Sequence, residues 1–134
     1  MRDFYRVKLT IKTGMEYNDY NTKYRNRTKK FAIDIIRFYI DNCKKTEELK
    51  IIGRQLLRSG TSVAANFRAF TRGRSEAEKF SKLCIVIEET DETEFWLELI
   101  QEAELIETSK LQHITKEANE LIKIFSTTRA KMKK

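Results

Sequence analysis

The chain has 134 residues, a net charge of +7, four glycines and no proline. Because β-sandwiches and barrels need many turn residues, this composition argues against them and favours long amphipathic helices in a single domain. No apolar run reaches the roughly 18–20 residues that span a bilayer, and the N-terminus lacks a secretory signal, so we expect a cytoplasmic protein without a membrane partner.

The first fourteen residues differ from the rest of the chain. Between residues 5 and 12, apolar side chains alternate with basic and hydroxyl side chains, a pattern typical of a β-strand. Since the sequence offers this strand no partner, it would pair with another copy or stay mobile. We therefore treat residues 1–20 as an N-terminal extension and residues 21–134 as the bundle domain.

A first helix is predicted from about Asn21, which suits the N-cap position, to Asn42. Its apolar face repeats at helical spacing through Phe31, Ile35 and Phe38. Its first turns are basic, which the positive end of a helix dipole disfavours, so either this segment frays or an anion binds there. The basic residues are Lys23, Arg25, Arg27, Lys29 and Lys30.

A second helix is predicted from Thr46 to about Gly73, which suits the position after a helix end. Its apolar seam has successive spacings of 4, 3, 4, 3, 4 and 3 residues, the heptad pattern of a left-handed bundle. Gly53 and Gly60 lie on this seam, where each costs about 1 kcal/mol relative to alanine. We expect them to allow a bulky neighbour such as Phe or Trp to pack closely. The seam consists of Leu49, Gly53, Leu56, Gly60, Val63, Phe67 and Phe70.

The outer face of this second helix is basic. Five side chains fall within an arc of roughly 80°, centred roughly 150° from the seam. Such a stripe can be a solvated surface, can bind RNA or DNA phosphates, which the guanidinium fork fits, or can pair with an acidic face of another copy. We call these residues the arginine stripe: Lys50, Arg54, Arg58, Arg68 and Arg72.

A third helix is predicted to begin at Ser75, which forms a capping box with Glu78. Leu83 and Trp96 point in nearly opposite directions, so the helix is apolar on two sides and we expect a second subunit to cover one of them. Residues 88–107 hold nine acids and no Lys or Arg. The predicted subunit interface comprises Glu88, Asp91, Glu92, Trp96, Glu98 and Glu102.

A fourth helix is predicted after Thr108 and ends in a basic tail. Positive charge is favourable there, because the C-terminus is the negative end of the helix dipole. Its core positions are Leu111, Ile114, Ala118, Leu121 and Phe125. Four helices with short connections predict an all-α, antiparallel up-down-up-down, left-handed four-helix bundle.

The sequence shows no catalytic, cofactor-binding or metal-binding motif. His113, the only histidine, lies on the polar side of the fourth helix, and Cys43 and Cys84 are expected to be reduced, buried thiols. The acids near residue 90 could in principle hold Mg²⁺ or Mn²⁺, but the chain lacks the Glu-x-x-His pairs of di-metal bundles. We therefore predict a protein that is not an enzyme and needs no cofactor.

Two segments, LLRSGTSVAANFRAF and FSKLCIVIEETDETEFWLELI, resemble the four-helix-bundle proteins encoded in intervening sequences of bacterial large-subunit (23S) rRNA genes. The motifs match at Leu57–Asn66 and Asp91–Leu99, and the resemblance spans about residues 25–125. It implies an up-down bundle in a homopentameric ring. A related branch, the accessory proteins of diversity-generating retroelements, is thought to bind nucleic acid and a reverse transcriptase. This chain departs from the family pattern after Asn66, where an acid is replaced and Arg68 is added.

We therefore predict a homo-oligomer, pentameric on this resemblance, that presents a basic surface to RNA or DNA. The alternative is a protein–protein adaptor, for example of a reverse transcriptase, whose charged stripes serve self-association only. Retention of RNA that falls steeply with salt would distinguish the first hypothesis from the second.

Overall fold

The computed structural model describes residues 17–132, which form four helices, joined by short connections, and no strand. The predicted all-α four-helix bundle is therefore confirmed. The strand pattern of residues 1–14 and the last two lysines of the basic tail lie outside the described residues. We number the helices α1 (Tyr17–Asn42), α2 (Glu47–Thr71), α3 (Glu76–Glu102) and α4 (Thr108–Met132).

Each helix packs against its neighbours in the chain, and α4 also contacts α1. Of these four helix–helix contacts, the one between α1 and α4 is the sparsest. Contacts between α1 and α4 pair residue numbers in opposite order, since Tyr20 meets Thr128 and Arg27 meets Glu117. The predicted up-down-up-down order requires this arrangement; the left-handed twist stays a prediction. Helices α1 and α3 lie at diagonal corners of the bundle, because their main contacts are with α2 and α4.

Helix α1 begins at Tyr17, earlier than predicted, so the assignment of Asn21 as its N-cap is wrong. Asn21 is buried within the helix, and Tyr20 lies in the core with its ring centroid 4.7 Å from that of Tyr24. The contact between these two rings stabilises the first turn of α1. Consequently the basic residues between 23 and 30 lie in later turns and not at the positive end of the dipole.

Helix α2 runs unbroken from Glu47 to Thr71, through the Ser-Gly-Thr-Ser segment, as its seam predicts. The Thr46 hydroxyl caps the helix by accepting a hydrogen bond of 3.2 Å from the N–H of Leu49. Every residue of the predicted seam is buried.

The two seam glycines allow α1 to approach α2 closely. A Cβ on Gly53 would lie 2.6 Å from the Cβ of Cys43, and a Cβ on Gly60 would collide with the Ile35 side chain. The predicted close approach is confirmed. The nearest neighbours, however, are Ile35 within α1 and Cys43 directly after its end, and not Phe or Trp.

The connection between α2 and α3 ends one helix and caps the next. The Ser75 hydroxyl accepts a hydrogen bond of 3.0 Å from the N–H of Glu78, which confirms the predicted cap, but the Glu78 carboxylate accepts from the N–H of Arg74 at 2.6 Å and not from that of Ser75. Helix α2 ends at Thr71 with Arg72 as its C-cap, so Gly73 follows the helix end as predicted, although its φ is not positive. It packs beneath Lys79, whose Cγ would lie 2.5 Å from an added Cβ.

Helix α3 ends in a Schellman motif with Glu104 in the left-handed region at φ 57°. The N–H of Leu105 donates to the carbonyl of Ile100 at 3.0 Å, and the N–H of Glu104 donates to the carbonyl of Gln101 at 3.0 Å. A glutamate in this position gives no sequence signal for a helix end. Beyond it, the five predicted core residues of α4 are all buried.

Candidate nucleic-acid interface

The arginine stripe lies on the outer face of α2, as the helical periodicity predicts. Arg54, Arg58, Arg68 and Arg72 are exposed, and Lys50 is half-buried. Because the helix is continuous, these side chains keep the spacing that the sequence gives them. The structure nevertheless divides the stripe into parts with different surroundings.

Arg58 is bound within its own chain. Its Nη1 lies 3.3 Å from Glu89 Oε1, and its Nη2 is hydrogen-bonded to Glu92 Oε2. The hydrogen bond to Glu92 is the main cause that raises the pKa of Arg58 above its usual range. In this structure, therefore, Arg58 links α2 to α3, and it is the stripe residue least available to phosphate.

The same link involves two residues of the predicted subunit interface. The Trp96 indole Nε1–H donates a 3.0 Å hydrogen bond to Glu92 Oε2. The hydrogen bonds from Arg58 and then from Trp96 lower the pKa of Glu92 below its usual range. Glu92 and Trp96 thus serve contacts inside the subunit. The other four predicted interface residues, Glu88, Asp91, Glu98 and Glu102, are exposed.

The two segments that carry the family resemblance pack against each other. Beside the Arg58 link, the buried hydroxyls of Ser59 and Thr93 are hydrogen-bonded at 2.9 Å. The Ser59 hydroxyl donates to the carbonyl of Leu56, and the single proton of the Thr93 hydroxyl is within reach of both Ser59 Oγ and the carbonyl of Glu89. Small polar residues here let α2 and α3 pack closely while every buried hydroxyl keeps a partner. The motif residues at this contact join two helices.

A groove between α1 and α2 brings together four cations that the sequence analysis did not connect. The Gly60–Ile35 contact sets the register, so the early turns of α1 lie beside the last turns of α2. The groove has a volume of about 530 Å³ and a floor of small side chains. We call it the basic groove; it is lined by Arg25, Lys29, Ala64, Ala65, Arg68 and Arg72.

The cations of the basic groove lack acidic partners. Two of these cations lie on α1 and two on α2, and within residues 17–132 none of the four forms an ion pair. The lining of the groove also contains no acidic and no aromatic side chain. Uncompensated like charges in a concave surface concentrate positive potential, which attracts anions.

A second, shallower groove adjoins the first on the α3 side. It shares Arg68 and Arg72 and adds Arg74 and Lys82, with Glu78 as its single acid. Arg68 and Arg72 therefore stand between two concave basic surfaces.

Two other cations of α1 are compensated. Arg27 Nε lies 2.7 Å from Glu117 Oε2, and its Nη2 lies 2.7 Å from Glu120 Oε1. The hydrogen bond with Glu117 is the main cause that raises the pKa of Arg27. Lys30 Nζ lies 3.0 Å from Asp34 Oδ2. Arg25 and Lys29, in contrast, line the basic groove and form no ion pair within the described residues.

The remaining candidate chemical groups lie apart from this groove. His113 is exposed, as predicted, with Nε2 3.4 Å from Asp34 Oδ2. Cys43 and Cys84 are free thiols; burial raises the pKa of Cys43 to about 11, whereas Cys84 is only half-buried, contrary to the prediction. In the described part of the chain, no three His, Cys, Asp or Glu side chains are grouped as metal ligands.

None of the helices within residues 17–132 is both long and apolar enough to cross a lipid bilayer.

Comparisons with known proteins agree with the motif resemblance. A family model described as 23S rRNA-intervening sequence protein matches residues 21–127. The chain is also similar to the crystal structure of a protein with unknown function from the S23 ribosomal protein family of Bacteroides thetaiotaomicron. That similarity has 30% sequence identity and a TM-score of 0.74, and covers 82% of this chain and 97% of the other. No curated protein matches the chain significantly.

Proposed function

This chain belongs to the 23S rRNA-intervening sequence protein family, and we propose that it is a non-enzymatic, self-associating bundle that binds RNA or DNA phosphates in the basic groove. One observation carries the proposal: the four groove cations have no acidic partner in the described chain, whereas Arg27, Lys30 and Arg58 do. The groove, and not the whole arginine stripe, is the surface that we assign to nucleic acid.

The chemistry of the groove favours the phosphate backbone over the bases. Its three arginines and one lysine can donate to phosphate oxygens, and the arginines can do so in a bidentate manner. It offers no aromatic side chain on which a base could stack. We therefore expect binding that depends strongly on salt and weakly on sequence, and a family named for rRNA intervening sequences is compatible with RNA as the ligand.

The test compares two double variants that remove equal charge. For Arg68→Ala/Arg72→Ala we expect an affinity for a short RNA duplex at least about tenfold lower, with a salt slope smaller by about 2. The matched control, Lys50→Ala/Arg54→Ala, removes two cations of the same stripe outside the groove and should weaken binding by about twofold at most. Fluorescence anisotropy at several salt concentrations measures both quantities.

Two outcomes would contradict the proposal. If both variants lose affinity equally, the net charge of the protein and not the groove attracts the RNA. If the wild-type protein retains neither RNA nor DNA at low salt, the nucleic-acid function fails.

The adaptor function remains the second candidate, because exposed apolar side chains are prominent. Ile33, Ile36 and Ile40 on α1, Ile51 on α2 and Phe95 on α3 are each 39–53% exposed. Such residues suit a protein partner, and self-association is the use we propose for them. We set the number of copies at five on the family resemblance, and light scattering tests that number.

A further inference from the structure

The outer face of α3 combines acids with one exposed aromatic ring. Its members follow one another at spacings of 3, 4, 3 and 4 residues, so they form one stripe roughly 21 Å long. All are exposed, and Phe95 is 48% exposed. We call this the acidic stripe: Glu88, Asp91, Phe95, Glu98 and Glu102.

The acidic stripe has no cationic partner within the described residues. None of its four acids forms an ion pair there. Burial, followed by the charges of Asp91 and Glu98, raises the pKa of the adjacent Glu94. The four acids of the stripe, without an ion pair in the described residues, would attract a cation brought to this surface.

The arginine stripe of a second copy is a poor match for this surface. Arg58, at its centre, is held by Glu89 and Glu92 of its own chain, and Arg68 and Arg72 line the basic groove. The arginine stripe has Ile51 at its edge, but no exposed apolar cluster into which Phe95 could pack. A complementary surface should hold both apolar groups and free cations.

The outer face of α1 has both. Three exposed isoleucines lie on the side of the helix that points away from the core, and two exposed cations without an ion pair in the described chain lie among them. Lys30, which is paired with Asp34, lies toward the edge of this face. We call this the isoleucine face: Lys29, Ile33, Ile36, Arg37 and Ile40.

We infer that the acidic stripe of α3 docks against the isoleucine face of α1 from a second copy of this chain. This rests on the self-association in the proposed function and names the surfaces that it uses. Phe95 packs among the isoleucines, and the flanking acids meet Arg37, while Lys29 lies at the edge that this face shares with the basic groove. The apolar centre supplies burial, and the opposite charges set the direction and register of the contact.

The positions of these faces in the bundle determine the kind of assembly. Helices α1 and α3 occupy diagonal corners, and both faces point away from the core, so they lie on opposite sides of the subunit. One copy can therefore use both faces at once, each with a different neighbour. Such a contact is heterologous, and the rotation between successive copies decides whether the assembly closes into a ring.

A mixing experiment tests the inference. Ile36→Glu/Ile40→Glu removes the isoleucine face, and Phe95→Glu removes the apolar centre of the acidic stripe; the two altered faces also repel each other. We expect wild-type protein to have a mass above that of a monomer by light scattering, and each variant alone to be monomeric. An equimolar mixture should form a 1:1 dimer, because each variant retains one intact face.

The control is Ile51→Glu, which introduces the same charge at an isoleucine of 53% exposure outside both faces and should keep the wild-type mass. Restoration of a dimer on mixing shows that both variants are folded. If either variant keeps the wild-type mass, or if the mixture stays monomeric at concentrations where wild type assembles, the inference is overturned while proposed self-association stands. A monomeric wild-type protein would overturn both this inference and the proposed self-association. RNA binding would still be measured independently.

Discussion

At the residue scale, the contact between Gly60 and Ile35 decides how closely the first two helices pack. A glycine within a helix costs about 1 kcal/mol relative to alanine, so its presence on the seam needs a compensating contact. The Ile35 side chain fills the space where a Cβ would lie. The same contact sets the register that places Arg25 and Lys29 beside Arg68 and Arg72, and the basic groove depends on it.

Gly60→Ala is expected to destabilise the protein by up to about 2 kcal/mol, because about 1–3 kcal/mol of overpacking exceeds the gain in helix propensity. In an Ile35→Val background, which removes Cδ1 and leaves the nearest atoms 3.2 and 3.3 Å from the new Cβ, the same substitution should be close to neutral. Urea unfolding of the wild-type protein, the two single variants and the double variant measures both effects. An equal cost in both backgrounds would show that Ile35 is not the obstacle.

At the scale of the helices, the link between α2 and α3 joins the two segments that the resemblance singled out. Arg58, Glu92 and Trp96 form a hydrogen-bonded chain on the surface, and Ser59 and Thr93 pair beneath it. An exposed ion pair contributes little by itself, about 0–1 kcal/mol. Its larger effect is to hold the two helices in a fixed register.

The Arg58–Glu92 pair predicts a pH dependence. Because the folded-state pKa of Glu92 is lowered, its contribution to stability is present above the unfolded value of about 4.3 and is lost as pH falls through the lower folded value. Glu92→Gln should therefore cost about 0.5–1 kcal/mol at pH 7, and this difference should shrink as pH falls below about 4.3. Urea titrations at several pH values measure it.

The control for that series is Glu48→Gln, an exposed acid on α2 outside both docking faces and without an ion pair in the described chain. Its difference from wild type should stay within about 0.5 kcal/mol over the same pH range. If Glu92→Gln shows the same flat profile, the hydrogen bond to Arg58 contributes nothing to folding.

The helices and their buried faces could be predicted from the sequence, but the groove could not. Periodicity within one segment revealed the α2 seam, the caps at Thr46 and Ser75, and the stripe of arginines. No pattern within a segment shows which turn of α1 lies beside which turn of α2, so Arg25 and Lys29 could be noted as basic but not joined to Arg68. Likewise, helical periodicity placed Glu92 on an acidic face but could not reveal its partner on α2.

At the scale of the whole molecule, polar groups help to join α1 and α4, the two neighbouring helices with the sparsest contact. Helices α1 and α4 meet through Arg27 with Glu117 and Glu120, and through the hydroxyls of Tyr20 and Thr128. The Arg27 and Glu117 side chains are only 26% and 24% exposed. A bidentate and partly buried ion pair of this kind contributes more than an exposed one.

Arg27→Ala is expected to cost about 1–2 kcal/mol, since it leaves Glu117 and Glu120 beside each other without a cation. The control Lys30→Ala breaks a pair whose lysine is 71% exposed and should cost about 0.5 kcal/mol at most. Urea unfolding measures both, and amide hydrogen exchange should show faster exchange in α4 for Arg27→Ala alone. Equal costs for the two substitutions would show that this ion pair does not close the bundle.

The sparse contact between the first and last helices also has a mechanical consequence. Helix α4 is held mainly by α3, with Phe125 also packed against Tyr24 and Phe67, so we expect it to separate before α1, α2 and α3 come apart. Stretched between its two termini in an optical trap, the chain should release its C-terminal segment at low force and unravel the three-helix remainder at a higher one. The order of rupture is then set by topology, because the weakest seam lies between the two ends on which the force acts.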